Sequence, residues 1–279
     1  MNLYAINTGN LKLDGGAMFG VVPKVIWGKL YPCDENNLCN WSMRCLLIVD
    51  DERKILIDCG IGDKQSEKFF ANYYLNGDDT LEASLGKAGV KPQDITDVIL
   101  THLHFDHCGG AVRWNEERTG YVPAFKNATY HTSRQQWEWA TNPNNREKAS
   151  FLKENILPIG EKGKLNLIES DGELFPGIRI RLFNGHTDGQ VIPFISYRGR
   201  TIVYMADVLP SSAHIPLPYV MSYDTKPLIT LTEKEAFLKE AVEKEYILFF
   251  EHDIFRECCT LQETEKGIRM KDSFALDSL

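Results

Sequence analysis

The run Thr101-His102-Leu103-His104-Phe105-Asp106-His107 stands directly after the apolar stretch Asp97-Val98-Ile99-Leu100. Three of the chain's seven histidines and a carboxylate fall within six positions. Imidazole and carboxylate are the ligands that zinc and other borderline divalent metals take. His102 and His104 are two apart at a strand end, and side chains two apart in extended backbone point the same way. Both can therefore reach one ion. The chain must then turn for Asp106 and His107 to contribute, and Gly109 and Gly110 permit that turn and the start of a helix. If further ligands arrive from elsewhere, four residues at this spacing crowd a single ion, and two adjacent metals are the more economical reading.

Further ligands do arrive. His186 follows the apolar run Ile178–Phe183, Asp207 follows Thr201–Met205, and His252 follows Tyr246–Phe250. Each is a polar residue just beyond a strongly apolar strand, where loops build sites on a rigid scaffold. His131 and His214 stand outside this pattern. His131 reads as structural, whereas His214, soon after Asp207, is a candidate to line a pocket.

The rest of the chain bounds the setting. A chain of 279 residues is long enough for one large domain or two small ones. The net charge is −8 and no Lys/Arg-rich block appears, which disfavours a nucleic-acid partner. The first residues lack a basic region followed by an apolar core, and no apolar run approaches membrane-spanning length, so no membrane association is expected. Seven cysteines without a regular framework fit thiols in a reducing cytoplasm, although Cys33 and Cys39 are close enough in sequence to pair across a loop.

Periodicity predicts strands over 45–49 and 54–58 joined by a hairpin at Asp50–Arg53, helices near 64–74 and 80–88, and a strand over 98–100. Residues 131–160, with Trp137 and Trp139, read as a helical insert lying over the rest. Strands resume over 165–168, 178–183, 192–197, 201–205 and 246–250. Thr232-Glu233-Lys234-Glu235 has the form of a capping box that opens a helix. Asp14–Gly20 reads as a mobile apolar loop whose Met18 and Phe19 either pack or touch an apolar ligand. The order predicts an α/β protein, a single domain over 1–279 of two similar halves, with two packed sheets and helices outside.

Taken together, His102-x-His104-x-Asp106-His107, Gly185-His186-Thr187, Asp207 and His252 resemble the metallo-β-lactamase superfamily of hydrolases. The resemblance runs from about Cys45 to His252 and implies an αβ/βα sandwich. By position it implies His102, His104 and His186 as ligands of one metal. It implies Asp106, His107 and His252 for the second, with Asp207 bridging and Asp58 orienting the site. The metals expected are two divalent ions, zinc first, with manganese, iron or cobalt fitting similar sites. A metal-bridged hydroxide would then attack a carbonyl or phosphoryl centre, with Asp106 as proton shuttle.

Within the superfamily, Phe105, His107, the helical insert and the long N-terminal segment resemble the N-acyl homoserine lactonases and the related organophosphate hydrolases. That implies a small-molecule lactone or ester substrate, and, since relatives are often dimers, a homodimer. Phosphotriesterase-like or β-lactamase activity is the alternative, and a non-enzymatic metal-binding role is the reading of a different class. Two positions depart from the lactonase pattern. Asp188 stands where lactonases carry proline, and Pro210 stands where they often carry a substrate-binding tyrosine. Tyr223 and His214 are the candidates to replace that tyrosine.

Overall fold

In a computed structural model covering Met1–Leu279, the chain forms two compact units. One comprises Met1–Asn10 and Met43–Ser170, the other Leu11–Ser42 and Asp171–Leu279.

Eight strands precede residue 170: β1 (Asn2–Asp14), β2 (Leu38–Val49), β3 (Lys54–Ile57), β4 (Asp97–Ile99), β5 (Val112–Trp114), β6 (Tyr121–Pro123), β7 (Thr129–Ser133) and β8 (Lys164–Ile168). Six make a mixed sheet in the order β1-β2-β3-β4-β7-β8, and β5 and β6 form a separate ribbon. The expected hairpin joins β2 to β3, because Asp50 Oδ1 accepts the N–H groups of Glu52 and Arg53 and closes the turn. From β3 to β8 the neighbours are parallel. Ile57 faces Ile99 in register, so β3 and β4 end on the same edge. Asp58 and Thr101–His102 therefore emerge side by side.

The helices of this unit are short: α3 (Glu67–Ala71), α4 (Leu81–Lys87), α5 (Phe105–Cys108), α6 (Arg134–Thr141) and α7 (Lys153–Lys162). Ser66, Thr80 and Ser133 cap α3, α4 and α6 with their hydroxyls. The stretch expected to be an insert is partly sheet, since residues 131–133 belong to β7. Its helices do more than lie over the fold. Ala140, Ile156 and Ile159 share one core with Leu56, Val98 and Leu100.

The second unit begins with α1 (Gly15–Phe19) and α2 (Lys24–Trp27). The segment expected to be a mobile loop is thus a helical turn, capped by Asp14, whose Oδ1 accepts Ala17 N–H at 2.8 Å. Phe19 is fully buried, stacked on Trp27 and on His214 with ring centroids 5.0 and 4.5 Å away. Packing, rather than an apolar ligand, accounts for it.

The sheet of this unit comprises β9 (Gly172–Phe175), β10 (Ile178–Phe183), β11 (Gln190–Tyr197), β12 (Arg200–Tyr204), β13 (Ile247–Phe249), β14 (Cys258–Thr264) and β15 (Gly267–Phe274). Its order is β15-β14-β13-β12-β11-β10-β9. β10 and β12 are both antiparallel to β11, and β13 is parallel to β12. The three strands preceding His186, Asp207 and His252 therefore run the same way and end on one edge.

Helix α8 spans Pro227–Glu243, which corrects the capping box expected at Thr232. Pro227 at the first turn starts the helix six residues earlier than a Thr232 cap would, and the Thr232 hydroxyl donates to Leu228 O within it. All seven cysteines are thiols, and Cys33 and Cys39 do not pair. No helix is long and apolar enough to cross a membrane.

Candidate metal centre

In the first unit the parallel edge gathers Asp58, His102, His104, Asp106 and His107. The His102 ring lies 4.5 Å from that of His104 and 3.9 Å from that of His107. Ligand atoms of His102 and His104, and those of Asp106 and His107, are within 4.8 Å of each other. Asp58 is fully buried, and its backbone has φ of 58°, a left-handed conformation rare outside glycine, asparagine and aspartate. That conformation aims its carboxylate into the site. Oδ1 accepts Thr101 N–H at 2.8 Å, and Oδ2 accepts the Thr101 hydroxyl at 2.7 Å and His107 Nδ1–H at 3.2 Å.

The chain turns after the histidines without a special conformation. Gly109 has an ordinary φ of −56°. The two glycines serve close approach instead: a Cβ on Gly109 would stand 2.0 Å from Ile61 O, and one on Gly110 2.2 Å from Cys59 O. Gly109→Ala must push apart the two loops that carry Asp58 and His107. We expect it to lower stability by about 1–3 kcal/mol, as overpacking does. Thermal unfolding measures this, and an unchanged midpoint would contradict the close-packing role.

In the second unit His186 Nε2 lies 3.1 Å from Asp207 Oδ2, and His252 Nε2 lies 3.0 Å from Asp207 Oδ1. Asp207 follows Ala206, which holds a positive φ of 41°. The structure thus brings together the expected ligands of each unit: four around His102, three around Asp207.

Every one of these histidines has one ring nitrogen committed to an outer group. Thr101 Oγ1 gives its own proton to Asp58 and so accepts from His102 Nδ1–H at 3.1 Å. His107 Nδ1–H points at Asp58, His186 Nδ1–H at Asp224 Oδ1 at 2.8 Å, and His252 Nδ1–H at Ser42 O at 2.7 Å. His104 is the reverse case: its Nε2–H faces Glu147 Oε1 at 2.9 Å, leaving Nδ1 to the site. An acceptor behind each ring fixes the tautomer and turns the other nitrogen's lone pair inward, as in metal-ligating histidines. The donors of each unit, three imidazoles with Asp106 in the first and two with Asp207 in the second, are of the kinds that divalent ions of the zinc type take.

The electrostatics agree. Burial pulls the His186 imidazole down, but Asp207 and Asp224 more than offset it and push its pKa up to about 10. Carboxylates that hold a proton this strongly on a buried ring also attract a metal cation. Burial pushes the Cys108 thiol up to about 12, so it stays neutral and outside the ligand set.

Several contributors carry no sequence signal. Glu147, between α6 and α7, is buried, and it also accepts the Trp139 indole N–H at 2.6 Å. Asp224 and Ser42 lie outside every motif. Asp188, in the place of the lactonase proline, pairs with Lys226. The Pro210 carbonyl accepts the backbone N–H of His252 at 3.2 Å. Tyr223 is exposed. His214 is buried, with Nδ1 2.8 Å from Ser211 Oγ and Nε2 2.9 Å from Met18 O, and burial pulls its pKa down to about 3. It is placed to tie α1 to the loop after Asp207. His131 bridges Asp97 and Asn166 within the sheet.

Comparison with known proteins places these features in context. A model of the Metallo-beta-lactamase superfamily matches residues 44–252. An N-acyl homoserine lactonase from Bacillus cereus is 29% identical over 250 residues, which is 84% of this chain and 87% of the relative. Among solved structures, a probable metal-dependent hydrolase from Staphylococcus aureus aligns with a TM-score of 0.89 and 32% identity, over 100% of this chain and 98% of its own. A dizinc quorum-quenching lactonase, AidC, aligns with a TM-score of 0.80 and 22% identity, over 98% of this chain and 95% of its own. That last likeness concerns the fold.

Proposed function

The chain belongs to the metallo-β-lactamase superfamily and has its fold, and from that premise we propose that it is a dinuclear metal-dependent hydrolase that opens lactones of the N-acyl homoserine type. The observation that carries the reading is the set of five histidines, each with an outer acceptor behind it and a lone pair turned inward. By the family resemblance, His102, His104 and His186 would hold one ion and Asp106, His107 and His252 the other, with Asp207 shared.

Divalent cations held by these residues, zinc in the first place, supply Lewis acidity and make water a nucleophile near neutral pH. The chain's own groups do the rest. Asp58, Asp224, Glu147 and the Ser42 carbonyl hold the rings in the tautomer that presents a lone pair. Asp106, whose Oδ2 lies 3.8 Å from His107 Nε2, takes the proton lost by the nucleophile and returns it to the alkoxide that leaves when the ring opens. Tyr223, exposed on the loop before α8, donates its hydroxyl to a substrate oxygen in place of the tyrosine absent at Pro210. His214, with both nitrogens taken, supports α1 and takes no part in the chemistry.

The test is metal analysis and a substrate panel on one preparation. We expect two metal equivalents per chain and faster turnover of acyl homoserine lactones than of simple esters, phosphotriesters or β-lactams. One equivalent or fewer in a fully loaded sample would sink the dinuclear assignment. Preference for a phosphotriester or a β-lactam would replace the substrate class. Full loading with no turnover on any of them would make the protein a metal binder.

A further inference from the structure

The motif Thr232-Glu233-Lys234-Glu235 does not open a helix; instead half-buried Glu233 reaches the segment before His186, and buried Lys234 reaches the loop ahead of α8. Glu233 sends its carboxylate back to the loop before His186. Its Oε1 accepts Asn184 N–H at 2.8 Å and its Oε2 accepts Gly185 N–H at 3.0 Å. Lys234 is 1% exposed, and its ammonium donates to three carbonyls of the loop ahead of α8: Pro216 at 3.0 Å, Leu217 at 3.3 Å and Tyr219 at 2.8 Å.

These contacts close a clasp. The loop held by Lys234 runs on through Asp224, whose carboxylate faces His186 Nδ1, and then into α8 itself. Its last residues grip the same segment by backbone, with Thr225 N–H donating to His186 O and Lys226 N–H to Gly185 O at 3.0 and 2.9 Å. Gly185 lies so close to α8 that a Cβ on it would stand 2.4 Å from Thr230 N and Cα. His186 is therefore fixed by backbone and by ring to the loop that leads into α8, and Gly185 beside it is fixed to the start of that helix.

We infer that Glu233 and Lys234 are positioning residues for His186, Glu233 holding its backbone and Lys234 holding the loop that carries its outer carboxylate, Asp224. The inference rests on the reading of His186 as a metal ligand, and it extends that reading to residues that touch neither metal nor substrate. A buried ammonium is a costly group, and Lys234 meets that cost with three carbonyl acceptors. As a mere spacer in the core, an apolar residue at 234 would serve better.

The variants are Glu233→Ala, Glu233→Gln and Lys234→Met in the full chain, read by hydrogen exchange and by zinc competition against a chromophoric chelator. We expect amide protection to fall in residues 184–187 for Glu233→Ala and in 216–226 for Lys234→Met, with the β10–β13 amides unchanged. Zinc affinity should fall about tenfold in each, in the range found for outer groups behind metal ligands. Glu233→Gln keeps one acceptor oxygen and should recover part of both losses. It also carries the test if Glu233→Ala does not fold. Unchanged zinc affinity together with unchanged local protection would overturn the inference, as would protection lost uniformly across the sheet. If the unmodified protein binds no zinc, the metal reading fails, while exchange at 184–187 still decides whether the clasp exists.

Discussion

Replacing Asp207 by alanine is expected to leave at most one metal equivalent per chain and to lower lactone turnover by at least about a thousandfold, a loss of roughly 4 kcal/mol of transition-state stabilisation. Its two oxygens stand 3.1 and 3.0 Å from His186 Nε2 and His252 Nε2, so one carboxylate spans two imidazoles. Without it, the one carboxylate that faces both imidazoles is gone, and Asp224 remains only behind His186. The preceding residue, Ala206, is held at φ 41°, a conformation that costs on the order of 1 kcal/mol or more and persists only where the surroundings impose it. The carboxylate is thus built into place. Asp207→Asn refines the test: it keeps the volume and one acceptor oxygen but removes the charge, and should resemble alanine more than wild type. Metal analysis and steady-state kinetics check both, with circular dichroism to show the fold intact. Two retained equivalents with turnover within tenfold of wild type would remove Asp207 from the centre.

The candidate ligands were legible in the sequence because they are dense or sit at strand ends. His102, His104, Asp106 and His107 fall within one turn of chain, and a run of apolar residues announces each of His186, Asp207 and His252. The sheets followed from the same apolar runs, and the metallo-β-lactamase fold that the resemblance implied is the fold found. What supports the ligands was not legible. Glu147, Asp224 and Ser42 act across 43, 38 and 210 residues of chain, and a lone acid or a backbone carbonyl has no pattern to mark it. The capping-box reading failed for a related reason. Glu233 has the right chemistry to accept backbone N–H groups, but it spends that capacity on Asn184 and Gly185, far off in sequence. The β14–β15 hairpin escaped notice because most of its later residues are exposed, and alternation is weak where neither face is buried.

Asp58→Asn is the second substitution with a large expected effect, and it separates charge from shape. Asparagine tolerates the left-handed backbone at this position, so the main chain has no reason to move. The carboxylate, however, accepts from three donors: Thr101 N–H, the Thr101 hydroxyl and His107 Nδ1–H. An amide offers one oxygen and one NH2, so at least one donor must face another donor in a fully buried place. Either His107 loses the acceptor that fixes its tautomer, or Thr101 turns and releases His102. We expect metal affinity to fall about 10- to 100-fold and stability to fall by about 1–3 kcal/mol. Thr101→Val is the matching control. It breaks the link from Asp58 to His102 but leaves the one to His107, so its effect on affinity should be smaller. Chelator competition ranks the three proteins. Equal affinities for wild type and Asp58→Asn would mean that the strained, buried carboxylate shapes the loop and has no hold on the metal. A Thr101→Val loss as large as that of Asp58→Asn would place the main effect at His102 instead of His107.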